Sequence, residues 1–272
     1  MLRIGHIDYS NCIPVHALLL DGGAPPWIEL RRGVPSALNA ELRAGTIHVS
    51  PSSSIEYARN ADRYRLIPGF AIGARNGVHS VLLETSRPIE ELDGAEVAVP
   101  TASATSVVLV RALLEIRHGL RPRYREYVQT DDADPIGSGA AAALWIGDIA
   151  MRRTGRTTHA LLDLGTLFTE WTGLPFVFAL WQTSAGPERD EELLALVEVL
   201  TASRRYFDDN AETLAERYGP GLGLDPAWLL RYWRSLEYGL DEEMQRGLLH
   251  FYELAVALGE APAVPPLRWV TR

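Results

Sequence analysis

Short apolar runs alternate with stretches of helical periodicity through the first half of the chain. Residues 2–7 (LRIGHI) predict a buried strand, DYSNCIP a polar turn, and VHALLLDGG a short helix ended by Gly22 and Gly23. WIELR (27–31) predicts a second strand. Val34 to Arg43 repeats apolar residues at helical spacing, and Gly45 suits the left-handed position that closes a helix. TIHV (46–49) predicts a third strand, PSSS a turn, and IEYARNA a helix whose start, Ser53-x-x-Glu56, fits a capping box. Strand–helix alternation of this kind predicts an α/β fold with a largely parallel sheet.

YRLIPGFAIG and HSVLLE predict two further strands, and the polar, turn-rich TSRPIEELDGAE reads as a domain boundary. A second α/β unit follows: EVAVP a strand, TASAT a loop, SVVLVRALLEIRHG a helix ending at Gly119, and RYREYV a strand. TDDADPIGSGA predicts a loop and helix start, AALWI a strand, GDIAMRRTG a short helix and HALLDLG a strand. LPFVFALWQTS predicts a long strand that carries the chain back. From Pro187 to Gly259 the pattern is helical, with Leu193, Leu194, Val197, Leu200 and Thr201 on one face. DPAWLLRYWRSL and DEEMQRGLLHFYELAVAL are each opened by Asp. The expected organisation is two lobes, residues 1–87 with 173–272 and residues 88–172. The two crossings between them would form a ligand cleft.

Composition narrows the chemistry. The chain has 272 residues, 47% hydrophobic and 22% charged, with a formal net charge of −9, which disfavours a nucleic-acid surface. All 26 cationic residues are Arg. Without Lys there is no Schiff-base enzyme, pyridoxal phosphate anchor or P-loop lysine. The single Cys12 excludes an internal disulfide and any Cys-rich metal site. MLRIGHIDYS lacks an apolar signal core, and no run approaches a membrane span, so a cytoplasmic location is expected. The seven His are scattered without ligand spacing, and neither GxSxG nor GxGxxG occurs. No metal or cofactor is expected. Cys12 reads as a small buried hydrophobe, and Arg152, Arg153 and Arg156 as a solvated helix end.

One feature recurs: a strand runs into a small polar loop at a helix start. It occurs at Asn11, at Ser52, Ser53 and Ser54, at Thr105 and Ser106, and at Asp148. In α/β sheets such loops gather at the carboxyl ends of strands, where free N–H groups and helix dipoles favour anions. Hydroxyls there add donors without adding charge, which suits a small carboxylate ligand. Each residue also has a purely structural use. Ser53, Thr105, Ser106 and Asp148 can cap helices, Asn11 can make a turn, and Ser80 can be an ordinary strand serine.

RIGHIDYSNCIPV, VSPSSSIEYAR, GVHSVLLETS, TSVVLVRALL, LWIGDIA and WTGLPFVFALW occur in this order. Together they resemble the MqnA-type chorismate dehydratases of the futalosine route to menaquinone, over nearly the whole chain to about Trp181. The C-terminal helices match in character only. The resemblance implies a two-lobed type-2 periplasmic-binding-protein-like fold without an export signal. It implies a lyase converting chorismate to 3-[(1-carboxyvinyl)oxy]benzoate as a monomer or homodimer. Two competing readings are the sister enzyme that cleaves cyclic dehypoxanthine futalosine to 1,4-dihydroxy-6-naphthoate, and a non-enzymatic carboxylate-binding protein. Through the resemblance, Asn11 and Ser80 would carry the chemistry, and Ser53, Ser54, Thr105, Ser106 and Asp148 would bind the dicarboxylate substrate. The substrate's enolpyruvyl carboxylate would act as the base, with Asp148 as the second candidate.

Overall fold

The computed structural model describes residues 1–271. Its strands, among these residues, form two five-stranded sheets. The first contains β1 (Leu2–Ile7), β2 (Ile28–Gly33), β3 (Val49–Ser53), β4 (Arg65–Ala74) and β10 (Phe176–Thr183), in the order β2-β1-β3-β10-β4. The second contains β5 (Val81–Thr85), β6 (Glu96–Pro100), β7 (Arg123–Tyr127), β8 (Ala142–Ile146) and β9 (Ala160–Asp163), in the order β7-β6-β8-β5-β9. Helices follow several strands directly: α1 (Ile13–Leu18), α2 (Pro35–Arg43) and α3 (Ser54–Arg59) in the first lobe, then α4 (Ala104–Arg111), α5 (Gly147–Arg153) and α6 (Leu164–Thr172) in the second. The chain ends with α7 (Asp190–Leu222), α8 (Pro226–Ser235) and α9 (Glu242–Ala257).

Neither sheet is purely parallel. β1 pairs parallel with β2 and β3, and β6 parallel with β7 and β8, as the strand–helix alternation predicts. The strands that cross between lobes run the other way. β10 inserts antiparallel between β3 and β4, and β5 lies antiparallel between β8 and β9. A strand returning from the other lobe enters its sheet from the opposite end, so it opposes the strands already there.

Two expectations change as a result. β5 belongs to the second sheet, so the first crossing runs between Ala74 and Val81 and not at residue 87. The return crossing runs between Thr172 and Phe176. The PSSS segment is not a turn, because β10 pairs along it from Val49↔Thr183 to Ser53↔Ala179 and draws it into β3. The buried stripe of α7 is also turned from the expected face: Leu193, Leu196, Leu200, Ser203 and Phe207 point inward. Leu194, Val197 and Thr201 sit at its margin. The Asp-opened helices form as predicted, with Asp225 accepting from the Trp228 N–H and Asp241 from the Met244 N–H, both at 2.9 Å. No described helix is long and apolar enough to cross a membrane.

Candidate active site

A narrow cavity lies where the carboxyl ends of β1, β3, β6 and β8 face each other across the lobes. Asn11, Ser53, Ser80, Thr105 and Ser106, all singled out from sequence, line it together with Tyr9, Ser103, Gly147 and Phe178. Among the described residues on this wall, Tyr9 is the one titratable side chain. Burial and the nearby Asp148 raise its pKa to about 12, so it stays a neutral donor.

The first lobe contributes Asn11 from the tight turn Ser10–Cys12 at the end of β1. The Trp233 indole N–H holds this turn by donating to the Ser10 carbonyl at 2.8 Å. Asn11 Oδ1 is buried and has no protein partner among the described residues, which leaves an acceptor for a ligand. Ser53 makes no cap hydrogen bond at the start of α3. The expected capping box does not form because Glu56 is held elsewhere, by Arg43 at 2.6 Å, Asn60 at 3.2 Å and Tyr64 at 3.3 Å. Instead Thr105 Oγ1, from the other lobe, accepts the Ile55 N–H at 3.2 Å. Thr105 therefore caps α3 across the cleft while lining it.

The second lobe presents Ser103, Ser106 and the Gly147 turn. Ser103 is the helix cap of α4: its Oγ accepts from the Ser106 N–H at 3.3 Å and donates to Ser106 Oγ at 2.9 Å. Gly147 has φ +61°, and a Cβ there would come within 3.3 Å of the Tyr9 ring, so the lobes close on a bare backbone.

Ser80 ends the first crossing. Its neighbour His79 holds a left-handed φ of +58°, uncommon for a residue with a Cβ. The Asp163 carboxylate keeps it there, accepting from the His79 N–H at 2.6 Å and the Val78 N–H at 3.0 Å. The same carboxylate caps α6 through Gly165 and Thr166. Ser80 is thus fixed at its backbone, and its carbonyl accepts the Gly147 N–H at 2.7 Å.

Two expected substrate contacts are not on the cavity wall. Asp148 turns toward the first lobe, where its carboxylate accepts from Ser10 Oγ at 2.5 Å and from the Ser10 N–H at 3.2 Å. Burial raises its pKa above the ordinary carboxylate value, against the opposing pull of the Ser10 hydrogen bonds. It ties the lobes together and is not placed to act as a base. Ser54 is fully buried and donates to the Val177 carbonyl at 2.8 Å. In both cases the residue beside it, Gly147 or Ser53, faces the cavity, and the chain turn at the helix start points the next side chain away.

A family model for menaquinone biosynthesis matches residues 2–257. The chain belongs to this menaquinone biosynthesis family. It is 33% identical over 280 residues to a chorismate dehydratase of Thermus thermophilus, covering 97% of this chain and 98% of that protein. A chorismate dehydratase of Campylobacter jejuni is 32% identical over 179 residues, 64% of each chain. Among solved structures, an Archaeoglobus fulgidus protein superposes with a TM-score of 0.74 at 22% identity, covering 95% of this chain and 97% of that one. The alkanesulfonate-binding protein of Xanthomonas axonopodis pv. citri gives 0.70 at 15% identity, covering 99% and 96%. The fold is that of the two-lobed periplasmic binding proteins.

Within this menaquinone biosynthesis protein, several site residues were not singled out from sequence. Ser103 had a usable signal, a serine just before an apolar helical run. Tyr9, Gly147 and Asp163 had none, because their roles depend on the opposite lobe or the crossing. Cys12 is buried and unpaired as expected, and burial pushes its thiol pKa well up.

A buried histidine pair supports the Asn11 turn from below. The Trp181 indole N–H donates to His16 Nε2 at 3.1 Å, so the neutral His16 ring carries its proton on Nδ1. That proton is donated to His6 Nδ1 at 2.9 Å, linking α1 to β1 on either side of the turn. Burial, then Arg32, lowers the His6 pKa from 6.5 to about 4, and burial lowers that of His16 well below its ordinary value. Below pH 6.5 the unfolded chain binds protons that the folded chain refuses. Stability is therefore lost as pH falls from 6.5 toward about 4. His6 alone accounts for about 3 kcal/mol across that window. Denaturant unfolding at pH 7 and pH 4.5 should show this loss, and a shallower one in His6→Gln, whose amide oxygen accepts the same proton. Equal pH slopes in the two proteins would refute the pair's role.

Proposed function

We propose that the chain is a chorismate dehydratase, a lyase that removes water from chorismate to give 3-[(1-carboxyvinyl)oxy]benzoate in the futalosine route to menaquinone. Its family and its relatives support the reaction. The observation that carries the mechanism is the cavity wall, which offers neutral hydrogen-bonding groups from both lobes and, among the described residues, no carboxylate or imidazole to serve as base.

Chorismate has a ring carboxylate, an enolpyruvyl ether at C3 and a hydroxyl at C4. H3 is vinylogous to the ring carboxylate, so negative charge released at C3 spreads onto it. The two oxygen substituents are trans, which puts H3 and the C4 hydroxyl on one face. The enolpyruvyl carboxylate takes H3, the C4–O bond breaks, and H3 and hydroxide leave together as one water. The ring becomes aromatic, with no change of redox state. Because the base belongs to the substrate, the protein's task is to hold the dianion in reacting geometry and to stabilise the departing oxygen.

Ser53, Thr105 and Ser106 bind the carboxylates through hydroxyls that add no charge. Asn11 orients the enolpyruvyl carboxylate through Nδ2 and accepts from the C4 hydroxyl at its open Oδ1. Ser80 donates to that hydroxyl as it leaves. This reading assigns the enzyme to the cytoplasm.

The test is purified protein with chorismate after exhaustive dialysis against chelator. Mass spectrometry should show a product lighter by one water. Chorismate recovered unchanged but bound would indicate a carrier, and conversion of cyclic dehypoxanthine futalosine in its place would indicate the sister reaction.

A further inference from the structure

One buried hydroxyl beside the cavity has no role in the chemistry above. Tyr232, on α8, is 2% exposed and donates its O–H to Ser80 Oγ at 2.9 Å. The next residue on the same helix, Trp233, donates to the Ser10 carbonyl beside Asn11. Consecutive residues of one C-terminal helix therefore grip both segments that carry the proposed chemistry.

The direction of the Tyr232 hydrogen bond matters. A serine hydroxyl has one proton and can accept from others. With Oγ already accepting from Tyr232, the Ser80 proton must point elsewhere, and no described protein group accepts it. The Ser80 carbonyl is occupied by the Gly147 N–H. The open side is the cavity that Ser80 lines. The Tyr232 ring is itself fixed, stacked on Trp228 with centroids 5.6 Å apart and planes 14° from parallel. Burial pushes its pKa well up, and Asp148, Cys12 and Asp163 nearby push the same way, so it remains a neutral donor.

We propose that Tyr232 is a positioning residue for the dehydration: its hydroxyl locks Ser80 in the rotamer that donates to the departing C4 oxygen. Without it, Ser80 can rotate among staggered wells and turn its proton onto backbone acceptors. Tyr232 does not touch substrate and transfers no proton. The proposal rests on the reading in which Ser80 acts on chorismate, and the test separates the two.

Kinetics on chorismate are measured for Tyr232→Phe, Ser80→Ala and the double variant, with melting temperatures for each. In Tyr232→Phe, kcat should fall roughly tenfold, the worth of one positioned hydrogen bond, while KM stays within about twofold. In the Ser80→Ala background, Tyr232→Phe should change kcat no further, because there is no hydroxyl left to aim. Losses that multiply, or a Tyr232→Phe enzyme with unchanged kcat beside a slow Ser80→Ala enzyme, overturn the positioning role. A Ser80→Ala enzyme as fast as the parent overturns the Ser80 reading itself. Site-specific 4-fluorophenylalanine at position 232 fills the hydroxyl's volume without a donor, and it gives the same readout should Tyr232→Phe not fold.

Discussion

Ser80→Ala and Asn11→Ala should each lower kcat for chorismate dehydration by roughly 10²–10³, the usual effect of removing one donor aimed at developing charge. KM should change less than kcat, because Ser80 engages the departing oxygen fully only as the C4–O bond breaks, and Asn11, which already holds the enolpyruvyl carboxylate in the ground state, sets the reacting geometry. The geometry supports separate roles. Ser80 is held at its backbone by Asp163 through Val78 and His79, and at its hydroxyl by Tyr232. Asn11 offers a buried, unpartnered Oδ1 from a turn that Trp233 holds. Asn11→Asp is the sharper probe, since a carboxylate facing a dianion should raise KM as well as lower kcat. Steady-state kinetics with circular dichroism of each variant decides the matter. Parent-like kcat in both alanine variants would falsify these assignments.

A second large effect is expected far from the cavity, in stability. Glu84 on β5 is fully buried in the second lobe. Its carboxylate accepts from Arg153 Nε at 2.9 Å and Nη2 at 3.2 Å, from the Trp145 indole at 2.7 Å, and from Thr157; His159 lies at 3.1 Å. Burial alone would raise its pKa, but the Arg153, Thr157 and His159 hydrogen bonds outweigh it and hold the pKa below the ordinary value. The Arg153 guanidinium also lies over the Trp145 ring, 4.6 Å from its centroid. Arg153→Ala leaves a buried charge without its counterion, a change that costs about 3–5 kcal/mol. For a chain of this size the melting temperature should drop by roughly 10 °C. kcat at low temperature should persist, because Glu84 and Arg153 do not line the cavity. A melting temperature within about 2 °C of the parent would show that the cluster contributes little.

Arg153 also shows where sequence reading stops. Arg152, Arg153 and Arg156 look alike at the end of a short helix and read as one solvated face. In the structure Arg153 turns inward to Glu84, while Arg152 reaches Asp131 and the Leu222 carbonyl. Asp148 is similar. Its place at a helix start suits a cap first, and also a base or a ligand contact. The choice is made by Ser10, which lies 138 residues away in sequence.

Within short range the sequence was sufficient. Apolar spacing sets which segments are strands and helices, because each pattern buries one face only in the matching conformation. Caps such as Asp225 and Asp241 act within three residues of themselves. Polar residues at the carboxyl ends of parallel strands marked the cavity, since that geometry gathers them at one edge of each sheet. Asn11, Ser53, Thr105 and Ser106 were therefore legible as cavity residues from the sequence pattern, whereas Ser80, just before the antiparallel β5, was reached only through the family resemblance. The tertiary structure alone decided which way the crossing strands run, that PSSS pairs as a strand, and which polar groups face each other. Asp163 holding His79, Thr105 capping the opposite lobe and Tyr232 aiming Ser80 are pairings between distant segments. A hydroxyl or carboxylate carries the same local signal whether it meets water, a ligand or a residue from another lobe, and only the packed chain brings its partner within hydrogen-bonding distance.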